Sequence, residues 1–145
     1  MLQQVLTIII GIVGGIAVGL QSPIAGAMGQ RIGGVAGSLI VHVSGTIFSS
    51  LLLLSRGGEN IRDWRSLPWY MLASGIFGLV VLLAINHTIP RLGAAFSVAL
   101  IIVGQLAIGL IIDHFGWLGV TQRPIDGARV LAVVLLLVGG YLISR

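Results

Sequence analysis

The stretch 92–112, LGAAFSVALIIVGQLAIGLII, decides the class of this protein. It carries no charge, and a helix of about 20 apolar residues crosses the roughly 30 Å hydrocarbon core of a bilayer. Four other apolar stretches fill most of the remaining chain. We therefore predict an all-α integral membrane protein with five transmembrane helices in one domain, 1–145. The predicted spans are 2–20, 34–54, 69–87, 92–112 and 128–143.

The composition excludes a soluble protein. Of the 145 residues, 57% are hydrophobic and 8% are charged, against roughly 25% charged residues in soluble domains. A disordered chain is excluded as well, because disorder requires low hydrophobicity. Because the sequence has no cysteine, disulfides and thiolate metal sites are also excluded.

The eight arginines are scattered singly through the loops, and with four acids they give a net charge of +4. They form no basic stripe, so we expect membrane lipid and not nucleic acid as their partner. Five predicted spans place five arginines on the side of the N-terminus and three on the other. This weak bias fits either one orientation, with the N-terminus in the cytoplasm, or dual topology with both orientations inserted.

The connection 20–33 has two interpretations. It is either a loop or the continuation of the first helix, kinked at Pro23 and running to about Met28. Proline disfavours helix at the preceding residue and lacks an N–H to donate. We favour the continuous helix, because Arg31 is the one charged residue in this stretch.

Glycines at four-residue steps are expected to pack helices together. Gly11, Gly15 and Gly19 follow this spacing in the first span, and small residues at such steps let helix backbones approach closely in lipid. Gly104 is expected to pack a helix in the fourth span.

Polar residues inside the spans are the candidate substrate-binding residues. Ser38 and His42 share one face of the second span, and His42 is the ionisable residue nearest the middle of any span. Either its imidazole is neutral and bonds a neighbouring carbonyl, or it lines a cavity and titrates near neutral pH. A single histidine is not a metal site, so no metal is predicted.

Gln105 lies near the centre of the fourth span, two turns after Ser97. A buried amide needs hydrogen-bond partners, so Gln105 either bonds a neighbouring helix or contacts substrate. Gln21 is the further candidate, in the connection after the first span. No span contains a central Asp or Glu, so a mid-membrane carboxylate cannot exchange protons for a cation.

Asp113 ends the fourth span, where an acid is disfavoured by the helix dipole. We therefore expect it to form a structural ion pair with Arg123 or Arg129, with proton coupling as the alternative role. Asp126 is the expected N-cap of the fifth helix.

Several short motifs resemble a known family. They are Leu67-Pro68-Trp69-Tyr70, Gly75 and Gly78, Pro90-Arg91-Leu92-Gly93-Ala94-Ala95, Gly104-Gln105-Leu106, and Ile112-Asp113-His114-Phe115-Gly116. With these motifs the chain resembles, over nearly its whole length, the YdcZ-type small five-helix family of the drug/metabolite transporter superfamily. His42 stands where that family usually has an apolar or small residue.

The resemblance implies half of an inverted-repeat transporter fold, completed by an antiparallel homodimer or by a sister subunit. It implies a prokaryotic inner-membrane location and places Gly104-Gln105 near the central cavity. We expect a secondary transporter of a small polar or weakly cationic metabolite, working by alternating access.

Two other functions stay open, a small dual-topology ion channel and a non-transporting subunit of a membrane complex. An enzyme is not expected, since the sequence lacks a catalytic triad pattern, a phosphate-binding loop and paired carboxylates within a span. No cofactor is predicted.

Overall fold

Helices form nearly the whole chain in the computed structural model, which describes residues 1–143 and 145. The helices, in chain order, are α1 (Leu2–Ile32), α2 (Gly34–Ser55), α3 (Trp69–Leu72), α4 (Gly75–Leu92), α5 (Ala94–Phe115) and α6 (Gly127–Ile143). Two short 3₁₀ helices, Ile61–Ser66 and Trp117–Gly119, lie in the loops. The described residues contain no strand, so the all-α prediction is confirmed.

Four helical segments are long and apolar enough to cross a membrane. They are Leu2–Ile32, Gly34–Ser55, Trp69–Leu92 and Ala94–Phe115. The last helix, Gly127–Ile143, is apolar but shorter. The described residues include only three buried hydrophobic side chains, Ala25, Leu82 and Ile85. Such a chain has almost no hydrophobic core of its own, as expected where lipid solvates the apolar faces.

α1 runs to Ile32 and so extends well past the predicted end of the first span at residue 20. Pro23 lies inside it, and the continuous helix is therefore the interpretation that the structure bears out. Pro23 offers no N–H to the preceding turn. Beside it, the Ser22 hydroxyl donates to the Val18 carbonyl at 2.7 Å, and such bonds to the preceding turn accompany bending of a helix.

Contacts along the chain divide it into two compact units, 1–87 and 88–145. In the first unit, α1 and α2 form a tight antiparallel pair around Gly33, whose φ of 93° suits glycine. At Gly37, a Cβ would lie 3.4 Å from the backbone nitrogen of Gly29. The two helices approach closely here because neither residue has a side chain.

α4 runs against α2 in the same unit. Gly34 of α2 faces Asn86, and His42, eight residues further on, faces Gly78. The predicted third span, 69–87, differs from the structure in two ways. It breaks at Ala73–Ser74, where the N–H groups of Ile76 and Phe77 bond three residues back, and it continues through Pro90 to Leu92.

In the second unit, α5 packs on α6. Gly140 is buried, and a Cβ there would lie 2.7 Å from the Ala99 Cβ. The rings of Phe96 and Tyr141 meet edge to face with centroids 6.5 Å apart. The absence of a side chain at Gly140 therefore lets α5 and α6 approach closely, and the Phe96–Tyr141 ring contact lies beside this point.

Candidate functional site

The first candidate site is an open groove between α2 and α4, centred on His42. Its Nδ1 lies 2.8 Å from the Ser38 carbonyl oxygen and 3.3 Å from the Ser38 hydroxyl. A carbonyl oxygen only accepts, so in the neutral ring Nδ1 carries the proton and Nε2 is an acceptor. Nε2 faces Gly78, where an added Cβ would lie 2.9 Å away. The structure thus joins Ser38 and His42 on one face, as their spacing predicts.

The groove holds about 340 Å³, at the lower end of the range of about 300–1,000 Å³ typical of ligand pockets. Among the described residues that line it, Ser38 and His42 are the polar ones. Ser38 is buried, while His42 is exposed. The lining residues are Val35, Ser38, Leu39, His42, Gly75, Ile76 and Leu79.

A second polar cluster lies where α1, α2 and α4 meet. Asn86 is buried with its amide against Gly29, which has no side chain to obstruct it. The Asn86 Oδ1 has no hydrogen-bond partner among the described residues. The side-chain amide of Gln30 donates to the Asn86 backbone carbonyl at 3.1 Å. That carbonyl lacks its usual helical donor, because the residue four positions on is Pro90.

The third candidate site is a groove between α5 and α6, lined by Gln105, Gly109, Asp113 and Arg129 among apolar residues. It is smaller, about 270 Å³. Arg129 Nη1 lies 3.7 Å from Asp113 Oδ2, so the structure pairs the acid with one of its two predicted partners. Because both side chains are partly exposed, this pair contributes little to stability.

The loop after α5 is held to the helix end by backbone bonds. The backbone N–H of Arg123 donates to the Asp113 carbonyl at 2.8 Å, so Arg123 contacts Asp113 through its main chain. The N–H of Ile125 donates to His114 Nδ1 at 3.1 Å, which requires an unprotonated Nδ1. Asp126 Oδ1 accepts the N–H of Arg129 at 2.8 Å, the expected N-cap.

The remaining predicted site residues lie apart from the His42 groove. Gln21 is exposed on α1 and does not line it. Ser97 is fully buried, and its hydroxyl has no partner among the described residues. The predicted packing glycines have no heavy atom of the described residues within 4 Å of an added Cβ, so their packing role stays a prediction. They are Gly11, Gly15, Gly19 and Gly104.

Sequence reasoning missed the roles of Asn86 and Gln30. A helix ending near residue 87 places Asn86 at an interface with water, whereas the structure continues α4 to Leu92 and buries the amide. Pro90 could have indicated the role of Gln30, since a proline inside a helix leaves the carbonyl four residues earlier without its helical N–H donor. A free carbonyl within an apolar segment requires a polar partner.

Together these features define a multi-pass α-helical membrane protein with small polar clusters between its helices. Residues 6–142 match the family described as "Putative inner membrane exporter, YdcZ", and the chain belongs to that family. It is 27% identical over 147 aligned residues to "Inner membrane protein YdcZ" of Escherichia coli (strain K12), covering 99% of this chain and 98% of that protein. No solved structure matches. The protein is thus a multi-pass protein of the inner membrane, in a family of membrane transporters.

Proposed function

We propose that this protein is a secondary transporter that exports a small polar metabolite, uncharged or weakly cationic, by alternating access. The family match over residues 6–142 carries the proposal. Ser38 and His42 line one groove between apolar helices, and Gln105 lines another. Ionisable and polar groups in membrane spans usually face protein or water and mark substrate paths.

An antiparallel dimer is the assembly that we propose for transport. Every residue from Met1 to Gln21 is exposed, and Gly11, Gly15 and Gly19 have open space around an added Cβ. Four-residue glycine steps pack closely against another helix in lipid. Two copies in opposite orientations would give the inverted repeats on which many transporters are built.

α6 is proposed as the fifth crossing, which places the two termini on opposite sides. A helix over Gly127–Ile143 is about 25 Å long at 1.5 Å per residue, slightly shorter than the hydrocarbon core. Tyr141 and Arg145 can anchor its end, since the Arg145 guanidinium donates to the Tyr141 hydroxyl at 2.8 Å. Aromatic and basic side chains stabilise helix ends at the interface.

Transport is tested in proteoliposomes loaded with a small-molecule extract of bacterial cells. We expect mass spectrometry to find at least one compound released faster than from protein-free liposomes. Gln105→Leu is expected to reduce its release, while Gln4→Leu, at the start of α1, leaves it unchanged. Absence of any protein-dependent release would contradict transport, and equal release by Gln105→Leu would remove Gln105 from the path.

The dimer is tested by topology, using a sequence without native cysteine. Asn60→Cys places a thiol in the exposed loop after α2. We expect an impermeant thiol reagent to label about half the protein in intact cells and the rest after permeabilisation. Labelling from one side only would contradict the antiparallel homodimer and point to a sister subunit.

The alternative function, a small ion channel, is tested by electrical recording. Single-channel currents in planar bilayers would favour a channel over a transporter.

A further inference from the structure

We propose that the groove between α5 and α6 binds a free α-amino acid with a large apolar side chain, through the ion pair of Asp113 and Arg129 at its polar end. A zwitterion carries no net charge, so the inference names the substrate class of the proposed transporter, and to that extent it rests on the proposed function. Binding itself does not depend on transport and is measured separately.

The groove follows one face of each helix and changes from polar to apolar along its length. Asp113 and Arg129 lie at the end where α5 finishes and α6 begins. Gln105 lies eight residues before Asp113, which is about 12 Å further along α5 at 1.5 Å per residue. The side chains that line the groove between these two polar ends are apolar, and they are Leu106, Leu110, Ala132, Val133 and Leu136.

The ion pair is accessible, and its hydrogen-bonding capacity is not used up. Arg129 Nη1 lies 3.7 Å from Asp113 Oδ2, beyond the upper limit of about 3.2 Å for an ordinary N–H···O hydrogen bond. The two side chains are 28% and 39% exposed, respectively. Among the described residues, the guanidinium has one long hydrogen bond, from Nη1 to the Arg123 carbonyl at 3.4 Å, although it carries five N–H donors. Both charged groups can therefore bind a ligand.

Backbone hydrogen bonds hold the two charged residues in place before a ligand binds. The N–H of Arg123 donates to the Asp113 carbonyl at 2.8 Å, which fixes the end of α5. The N–H of Arg129 donates to Asp126 Oδ1 at 2.8 Å, which fixes the start of α6. A site whose main chain is already held loses less conformational freedom on binding.

The arrangement of charges selects a zwitterion. The Asp113 carboxylate attracts an ammonium group, and the Arg129 guanidinium binds a carboxylate through charge-assisted hydrogen bonds. An α-amino acid carries both groups on one carbon, so its two charges are spaced about as closely as those of the protein. A purely cationic ligand is repelled by Arg129, and a purely anionic one by Asp113.

The apolar part of the groove receives the side chain of the amino acid. Its volume of about 270 Å³ accommodates a single amino acid but not the two acyl chains of a phospholipid. Burial of an apolar side chain stabilises the complex by about 1.5–3 kcal/mol. We therefore expect phenylalanine to bind and glycine, which has no side chain, not to compete with it.

Phenylalanine and two analogues form a matched set of probes. Phenylpropionate lacks the ammonium group, and phenylethylamine lacks the carboxylate. Their affinities for the full chain in detergent micelles are measured by equilibrium dialysis near neutral pH, with binding to protein-free micelles subtracted. We expect phenylalanine to bind about tenfold more tightly than either analogue, which corresponds to about 1.4 kcal/mol. Equal binding of all three, or no binding of phenylalanine, would overturn the proposal.

Two variants assign each charge of the ligand to its partner. Arg129→Gln should abolish the preference over phenylethylamine and keep the preference over phenylpropionate. Asp113→Asn should do the reverse. Loss of both preferences in each variant would mean that the pair only maintains the structure, and would overturn the proposal. Glu59→Gln, in the exposed pair that Glu59 forms with Arg56, is the matched control and should change neither preference.

A lipid headgroup can carry the same two charges, and the test separates this source. Phosphatidylethanolamine is added to the micelles and its retention by the protein is measured. Retention of this lipid without any binding of phenylalanine would overturn the proposal. Phenylalanine binding without transport would contradict only the proposed function, whereas transport of another compound without phenylalanine binding would contradict only this inference.

Discussion

Gly29→Ala is expected to lower the free energy of unfolding by about 1–3 kcal/mol, the usual cost of overpacking a well-packed contact. The new methyl group would overlap the buried side-chain amide of Asn86. The amide has little room to move, because Asn86 is buried. Unfolding is measured by titrating sodium dodecyl sulfate into mixed micelles and following circular dichroism.

The control for this substitution is Gly15→Ala, in the same helix. No heavy atom lies within 4 Å of a Cβ at Gly15, and alanine stabilises a helix interior by about 1 kcal/mol relative to glycine. We expect this variant to be neutral or more stable in the monomeric chain. Equal stability of the two variants would show that Asn86 does not pack on Gly29.

Asn86→Ala tests the partner in the same contact. The Asn86 Nδ2 lies 3.5 Å from the Gly34 carbonyl oxygen, too long for a strong hydrogen bond. Removing the amide should therefore leave space for the Gly29→Ala methyl group, and the double variant should recover most of the lost stability. Strictly additive effects would contradict a direct contact, since contacting residues are coupled by about 0.5–3 kcal/mol.

The sequence predicted helices well where hydrophobicity alone determines them. The predicted span 34–54 differs by one residue at its end from α2, Gly34–Ser55, and 128–143 differs by one at its start from α6, Gly127–Ile143. At these ends, the change from apolar helix to polar loop is enough to locate the end of the helix. The same hydrophobic pattern predicted the all-α membrane class.

The prediction of helix ends differed at the two helices that contain a proline. The continuous helix through Pro23 was predicted to run to about Met28, and α1 runs on to Ile32. The third span was predicted to end at residue 87, before Pro90, whereas α4 continues through Pro90 to Leu92. Proline ends a helix when the carbonyl that it frees has no other donor or solvent. At Pro90 the donor is Gln30, which lies 56 residues before Asn86 in the chain. Local pattern cannot reveal such a distant partner.

The candidate site was predictable only in part, for a similar reason. The four-residue spacing of Ser38 and His42 correctly indicated a shared face, because both belong to one helix. The facing residue, Gly78, belongs to α4, and its register against α2 depends on the packing of Asn86 eight residues further along. Register between helices is set by three-dimensional fit, which spacing within one helix does not encode.

Gln30→Leu is expected to lower the free energy of unfolding by about 1–3 kcal/mol, the cost of leaving a buried polar group unpaired. The variant keeps an apolar side chain of similar size but removes the donor that lies 3.1 Å from the Asn86 carbonyl oxygen. Gln4→Leu, an equivalent change at the exposed start of α1, should have no measurable effect. The same detergent titration measures both.

Pro90→Ala shows whether the Gln30 bond replaces the one that proline removes. Alanine restores a backbone N–H four residues after Asn86, and that N–H can donate to the same carbonyl within α4. In the Pro90→Ala background, Gln30→Leu should therefore cost less by about 1 kcal/mol. An unchanged cost would mean that Gln30 stabilises the chain through packing, and the carbonyl freed by Pro90 would then require another donor.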